Sequence, residues 1–524
     1  MANLNKIQLG ELHQQAIKHM DSGDYKASLD TARKIQNLGS HYFVSYIASG
    51  LLIDIGVGLN DQKIIMEGVE LLQKDLRKIT RSEKYASTAN YNLANGFYAL
   101  FAFRKNKDHF ALCFKESEID KAKFYFRESL KHNIQNPTFK SKIYVNLGNC
   151  YDELGRVVEA LECFDEALKW NPDHGMALGN KGQALLNYAA LSGEHQGTLI
   201  IEAYGLLSKA LKLGVTPEAE KVFAQYQKHI RDHFPDKQTL EEPPKYPGYK
   251  IKTKSKIEKF LIEFCLEHKL YLNVCNFCQK CAAAIGDTIV IKRMLVKKPK
   301  NIKKDTFLQL SSYLNYIKQD FITARFLLII SRFKGINLDF VDNNVTIVDT
   351  LDQTRHNIYI QLLKEAFKSF YNILDKIACF IDNYLELGIP KNRINFNGLW
   401  YSDQKAKTIR NKIAATKNFG LNALFDIHRD FEKGPYKKLR KTRNALTHRF
   451  INIKTSPKPE NYENMTEESL LGRTLELSRI VRSAIIYLLC FVSVEETKKE
   501  KKTTSFTKSL KAREIPKSLR KREL

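Results

Sequence analysis

The sequence predicts a mainly all-α protein in two parts: an N-terminal helical solenoid and a C-terminal four-helix bundle, with a small β-hairpin between them. Three observations predict this. A helix-pair pattern recurs through the first 232 residues, a proline-rich stretch follows it, and long apolar stripes at helical spacing return from Arg355 onward. A chain of 524 residues is long enough for two to four domains with real cores.

The clearest repeat runs from Ser141 to Pro172. Its order is Tyr144, Leu147, Gly148, Tyr151, then Ala160, Phe164, Ala167 and Pro172. Small residues let two antiparallel helices approach, large ones fill the gap, and the proline stops the second helix. This order resembles the tetratricopeptide repeat position for position. Weaker copies flank it. Asn92-Leu93-Ala94-Asn95-Gly96-Phe97 echoes Asn146-Leu147-Gly148-Asn149-Cys150-Tyr151, and Ala122 and Phe126 echo Ala160 and Phe164 after a charged insertion at Arg104 to Asp108. Gly182, Ala203, Leu207 and Ala210 continue the series past an insertion at Ser192 to Gly197, and Tyr25-Lys26-Ala27 begins an upstream copy. Residues 1–232 are therefore read as a tetratricopeptide-like solenoid, a fold that offers a concave face to a protein or peptide ligand.

Pro235, Pro243, Pro244 and Pro247 mark a linker over 233–250. Residues 251–350 read as a helical middle region, with the hairpin at Ile336 to Val341, a turn at Asp342-Asn343-Asn344, and Val345 to Val348. The bundle occupies 351–496. Its first helix spans about His356 to Leu387, with Leu362, Leu363, Phe367, Phe370, Leu374, Ile377 and Ile381 at helical spacing, and Gly388 and Pro390 ending it. The second covers about Asp403 to Phe431, the third starts near Tyr436, and the fourth, Ser469 to Val494, is apolar enough to be the buried partner. Residues 497–524 lose apolar periodicity and read as a basic disordered tail.

Lys+Arg 84 against Asp+Glu 58 gives a formal net charge of +26. Such an excess favours polyanions, above all nucleic acid. The start has no signal-peptide layout, and the richest apolar stretch, Ala484 to Val494, is about half of the roughly 20 residues a membrane span needs. Nine cysteines, mostly within apolar helical patterns, fit a reducing compartment; the expectation is a cytoplasmic protein with no membrane partner. Cys275, Cys278 and Cys281 form C-x2-C-x2-C with His268 upstream. The spacing suits zinc, and equally suits a stripe of buried small residues, so no metal and no cofactor is assigned.

The chemistry concentrates in Arg443-Asn444-Ala445-Leu446-Thr447-His448. Cleaving RNA through its 2′-hydroxyl needs a proton acceptor, a proton donor for the leaving 5′-oxygen, and positive charge at phosphorus. Histidine serves either proton role, and arginine supplies a permanent charge and a planar fork of donors. Leu439, Leu446 and Phe450 mark an apolar stripe, which places His448 opposite it and Asn444 one turn before His448. Arg443, Asn444 and His448 are the candidate catalytic set, with Arg440 and Arg449 as candidate substrate-binding residues. Spacing alone leaves a solvated basic helix open as an alternative. Asp375, an acid in an apolar helix, is a candidate for orienting Arg443 or His448 and is kept out of the catalytic set.

The Arg443-Asn444-x3-His448 pattern on a late helix resembles the R-N-x3-H signature of the HEPN superfamily. Residues 260–490 resemble its bacterial branch that carries N-terminal tetratricopeptide repeats, through Leu270-Tyr271-Leu272-Asn273, Thr323-Ala324-Arg325-Phe326-Leu327, Lys364-Glu365-Ala366-Phe367, Asp375-Lys376-Ile377-Ala378, Leu399-Trp400-Tyr401 and Arg443-Asn444. Ala445 and Thr447 stand where relatives often carry other residues. The resemblance implies a HEPN four-helix bundle that pairs into a homodimer, with both motifs facing one RNA-cleaving cleft. It implies a metal-independent endoribonuclease acting on transfer RNA or other structured RNA, in anti-phage defence or toxin-type growth arrest, under a trigger or regulator held by the repeats. The alternative is a non-catalytic adaptor whose basic bundle binds RNA or nucleotide.

Overall fold

The computed structural model describes residues 6–115, 118–189, 196–244, 251, 253–275, 282–291, 293–297, 306–456, 463–502 and 507–511. The chain forms two compact units, one of residues 1–187 with 200–242, the other of residues 188–199 with 243–524.

The first unit is a run of helix pairs: α1 (Lys6–Asp21) with α2 (Tyr25–Gln36), α3 (Tyr42–Gly58) with α4 (Gln62–Ile79), α5 (Glu83–Cys113) with α6 (Glu118–Leu130), and α7 (Pro137–Glu153) with α8 (Val157–Trp170). Then come α9 (Gly175–Ala189), α10 (Gln196–Leu213), α11 (Pro217–His233) and the short α12 (Lys237–Glu241). Local chemistry sets the breaks. Asp24, Asp61 and Asn136 cap α2, α4 and α7 through their side chains, and Pro137 opens α7 where no N–H is needed. Gly155 turns the chain between α7 and α8 at φ +76°, a left-handed position that favours glycine.

The repeat residues occupy the positions their spacing implied. Leu147, Tyr151, Ala160, Phe164 and Ala167 are buried, and a Cβ on Gly148 would lie 2.6 Å from the Phe164 ring. The charged insertion at Arg104 to Asp108 lengthens α5 instead of breaking it. Most of the insertion near Ser192 lies outside the described residues.

The second unit contains α13 (Lys256–Glu267), β1 (Arg293–Lys297), α14 (Thr306–Ile330), α15 (Ile358–Leu385), the two-stranded pair β2 (Tyr401–Asp403) and β3 (Thr408–Ile409), and α16 (Asn411–Ala414). It continues with α17 (Phe419–Glu432), α18 (Lys437–His448), β4 (Asn452–Ile453), β5 (Asn464–Met465), α19 (Glu467–Lys502) and β6 (Thr507–Lys511). Helix α17 is its centre: every residue from Gly420 to Phe431 is buried. It packs on α18 and α19, and α15 packs on α14, α18 and α19. Helix α14 runs along α15, so the helical packing begins earlier in the chain than residue 351.

Three expectations are corrected. No hairpin forms at 336–348: Asp339–Val341 is a 3-10 turn, residues 342–344 continue the turn with the Val345 N–H donating to the Asp342 carbonyl, and residues 345–350 form no strand. The stretch from Asp403 to Phe431 is not one helix. Asp403 Oδ1 accepts from the N–H groups of Lys405 and Ala406, Lys407 adopts φ +51°, and α17 starts afresh at its Asn418 cap. The chain does not lose order at residue 497, because α19 continues to Lys502 and residues 507–511 pair antiparallel with β1. Lys498 extends that helix usefully, donating to the carbonyls of Thr416 and Lys417.

Helix α19 is long and apolar enough to cross a membrane by length and composition, yet 72% of its apolar window is buried inside the fold. It therefore serves as a core helix here.

Two of the family-like stretches prove to be one buried polar knot. Arg325 donates to the Leu270 carbonyl at 2.9 Å and pairs with Asp287 at 2.7 Å, while Arg482 donates to the carbonyls of Tyr271 and Asn273. The Asn273 amide in turn donates to the carbonyls of Ala283, Ala284 and Gly286. Buried cations with every carbonyl partner fixed hold an irregular loop that apolar packing alone would leave with orphaned backbone groups.

Candidate active site

Helix α18 has the sequence Lys437-Lys438-Leu439-Arg440-Lys441-Thr442-Arg443-Asn444-Ala445-Leu446-Thr447-His448. Leu439, Thr442 and Ala445 are its buried stripe. Arg473 of α19 donates to Thr442 Oγ1 at 3.0 Å, and Lys438 pairs with Glu476 at 2.8 Å, which fixes the helix on α19. Phe450 does not belong to that stripe. The helix ends at His448, Arg449 turns extended, and Phe450 stands 88% exposed.

Arg440, Asn444 and His448 lie at i, i+4 and i+8, one above another on the outward face. Asn444 and His448 are exposed and Arg440 is half-buried. Asn444 does not hydrogen-bond the His448 ring; its Oδ1 accepts from Arg443 Nη1 at 3.3 Å. Arg443 is half-buried, its guanidinium 5.4 Å from the centre of the Tyr371 ring, and its Nε is buried with no hydrogen-bond partner among the described residues. Arg449 is tied to Glu463 at 3.0 Å in an exposed ion pair, the kind water and phosphate readily displace.

Behind α18 stands a polar cluster from three other segments. Tyr371 and Asp375 are one turn apart on α15. Asp375 Oδ1 accepts from the Phe396 N–H at 2.8 Å. Burial raises the Asp375 pKa above the ordinary carboxylate range, against the Phe396 hydrogen bond and the charge of Arg443. Burial, with the charge of Asp375, pushes Tyr371 up to about 12. Asn397 links this pair onward, its Oδ1 lying 3.2 Å from His428 Nδ1. His428 is boxed in by Phe396, Trp400, Tyr401 and Phe425, and burial lowers its pKa to about 4. Its Nε2 has no hydrogen-bond partner among the described residues, and Glu432 stays 4.0 Å away.

The structure thus brings Arg440, Arg443, Asn444 and His448 onto one helix and sets Tyr371 and Asp375 behind Arg443. Sequence reasoning missed Tyr371, Asn397 and His428. The i, i+4 polar pair in the apolar stripe of α15 was a usable signal for Tyr371 and Asp375; nothing local marked His428. Of the cysteine cluster, Cys275 is buried, whereas Cys278 and Cys281 lie outside the described residues. His268 packs edge-on to Phe264 at 4.3 Å. Among the described residues no group of three or more His, Cys, Asp or Glu could hold a metal ion.

Residues 302–495 match the family model of the LA2681-like HEPN domain, and residues 141–174 match the tetratricopeptide repeat. No curated protein matches the chain. Among solved structures, a thermophilic TPR protein of Thermus thermophilus is 14% identical, covering 42% of this chain and 98% of that one, with a TM-score of 0.31. Pseudomonas aeruginosa pilF is 15% identical over 45% of this chain and 96% of that one, with a TM-score of 0.29. The TPR2AB domain of yeast Sti1, solved with pHSP90, is 11% identical over 42% and 98%, with a TM-score of 0.18. The chain joins N-terminal tetratricopeptide repeats to a C-terminal HEPN domain of the LA2681-like kind.

Proposed function

We propose that this protein is a metal-independent endoribonuclease of the HEPN type, with Arg443, Asn444 and His448 as its catalytic residues. The observation that carries the proposal is their placement: His448 and Asn444 stand exposed on the outward face of α18, and half-buried Arg443 stands beside them, donating to Asn444. The substrate's own 2′-oxygen attacks the adjacent phosphorus and expels the 5′-oxygen. His448 moves a proton at one of those two oxygens. Arg443 offsets the charge that grows on the non-bridging oxygens, and Asn444 holds its fork in place. Arg440 and Arg449 bind neighbouring phosphates without reading bases. Tyr371 and Asp375 position Arg443 from behind.

Five residues of helix separate Arg443 and His448 by about 140° around the axis, so one helix does not aim both at a single phosphate. Two copies of the bundle supply both groups in duplicate around one substrate, and the active form is a homodimer. The repeats bind a protein or peptide that regulates cutting, in a defence or growth-arrest role.

The test is incubation of full-length protein with total RNA in EDTA, beside Arg443→Ala and His448→Ala. Cutting persists in EDTA, leaves 5′-hydroxyl ends, and falls by about a hundredfold or more in either variant. The His448→Ala melting temperature stays at the wild-type value because the ring is exposed. A strict magnesium requirement or 5′-phosphate ends overturns the mechanism, and a large loss of melting temperature makes His448 structural. RNA binding without any cutting supports the adaptor reading instead.

A further inference from the structure

Helix α3 holds one charged residue in its 17, Asp54. An acid alone in an apolar helix needs a reason. The helix packs on α5, whose stretch from Tyr85 to Phe103 carries no charge at all. Two close approaches set the register between them. A Cβ on Gly50 would lie 2.8 Å from Asn92 Nδ2, and one on Gly96 would lie 3.1 Å from Ile53 Cδ1. Asp54, one turn beyond Gly50, therefore stands level with Asn95. Asn95 belongs to a chain of neutral polar groups. Asn146 of α7 donates from Nδ2 to Asn95 Oδ1 at 2.9 Å and to Tyr91 Oη at 3.2 Å. Burial, with the charge of Asp54, raises the Tyr91 pKa above its ordinary value. Asp54 opens to solvent, whereas Tyr91, Asn92, Asn95 and Asn146 are half-buried. Among the described residues the side chains of Asp54 and Asn92 make no hydrogen bond or ion pair.

A carboxylate with no cation beside it, in a chain of net charge +26, leaves its complement to come from outside. Crowding by its neighbours pushes the Asp54 carboxyl up to about 6, and no basic group pulls it back. The lining is rich in acceptors: the Asp54 carboxylate, the amide oxygens of Asn92 and Asn95, and the Tyr91 hydroxyl. That set suits a guanidinium, which presents five N–H donors in a planar fork and no acceptor, better than an ammonium with three. The same surroundings disfavour free arginine. Among the described residues no base acts on Asp54, so nothing there meets an amino-acid carboxylate. Within a polypeptide that group is a neutral amide. We propose that Asp54, Asn92, Asn95 and Tyr91 form a site on the repeats that receives an arginine side chain of a partner protein. The proposal deepens the binding of a protein by the repeats and rests on that reading for its regulatory meaning. The arginine site itself stands on the geometry of α3, α5 and α7.

The experiment uses full-length protein and saturation-transfer NMR, which reads the millimolar affinities that a single side chain gives. The probes are Nα-acetylarginine methylamide, its citrulline counterpart, which keeps the shape without the charge, and free arginine. The arginine methylamide binds about tenfold more tightly than either of the others. Its affinity rises between pH 5 and pH 7, as Asp54 loses its proton, and is level above that. Tyr91, the titratable group of α5 that faces Asp54, stays protonated throughout that range. Asp54→Asn lowers the affinity to the citrulline level and abolishes the pH dependence, and its melting temperature does not fall, because no ion pair is lost. Glu70→Gln, at an exposed acid of α4, changes nothing. Equal binding of the arginine and citrulline probes, or an equal loss on Glu70→Gln and Asp54→Asn, overturns the proposal. So does a flat pH profile in wild type, a readout that needs no variant. Tighter binding of free arginine makes this a small-molecule site and overturns the partner protein. Arginine binding at Asp54 in a protein that cuts no RNA leaves this inference intact and defeats the proposed function.

Discussion

His428 is where a single residue exposes the logic of the HEPN core. It is 2% exposed, and burial holds it neutral by lowering its pKa to about 4 against the ordinary 6.5. Glu432 acts the other way, while Lys407, Arg429 and Arg440 add to the lowering. Because the folded value lies below the unfolded one, the unfolded chain takes up its proton first as pH falls. The stability that neutral His428 contributes is whole above about 6.5 and is lost between there and about 4, a swing on the order of 3 kcal/mol. The check is urea unfolding at pH 7 and pH 4.5, followed by the emission of buried Trp400 in a Trp170→Phe background. His428→Gln should flatten the pH dependence relative to the parent; parallel profiles would show that His428 does not set it. Nothing in the sequence around His428 announces this, because its cage is assembled from Phe396, Trp400 and Tyr401, some 27–32 residues earlier in the chain. The Arg–His motif was legible for the opposite reason: its spacing on one helix is local, so sequence alone placed His448 on the outward face.

At the scale of elements, legibility followed locality again. The Gly148–Phe164 contact lies within one helix pair, and its pattern was readable position by position. The stretch from Asp403 to Arg410 misled, since its polar helix-like spacing is overridden by the Asp403 turn and by Lys407 at positive φ. The β-branched run at 345–348 misled as well: it forms no strand, because a 3-10 turn and the bend after it take up the residues that would have paired with it. Helices α17 and α19 meet backbone to backbone. A Cβ at Gly420 would lie 2.5 Å from Phe491 N and 2.6 Å from Tyr487 O, both backbone atoms that cannot rotate aside. Gly420→Ala must therefore push the two helices apart, at a cost of about 1–3 kcal/mol. Gly472 in α19 has nothing within 4 Å of its Cβ position, so Gly472→Ala should gain roughly 0.5–1 kcal/mol from helix propensity alone. The two variants compared by the Trp400 transition decide the point; equal effects would show that α17 and α19 have slack between them.

For the whole molecule, the charge of +26 is a property that no single helix owns, and on the proposed nuclease reading it bears on how RNA would be held before cutting. Phosphate contacts from scattered lysines and arginines add affinity without sequence preference, and each contact steepens the dependence on salt. The C-terminal residues are the natural place to separate that anchoring from the chemistry. Removing everything after residue 496 would be a poor test, because Lys498 holds the Thr416 and Lys417 carbonyls and Lys499 pairs with Glu496. A cut after Lys511 spares α19 and the strand pair yet removes Arg513, Lys517, Arg520, Lys521 and Arg522. Binding of several unrelated RNAs should be measured against salt concentration, with His448→Ala in both lengths so that cleavage does not distort the isotherms. The shortened protein should bind each RNA more weakly, by a similar factor, with a shallower slope of log affinity against log salt. In the otherwise wild-type background the cleavage positions should not move. A shifted cleavage position would make the C-terminal residues part of the specificity site, and an unchanged slope would remove them from RNA binding altogether.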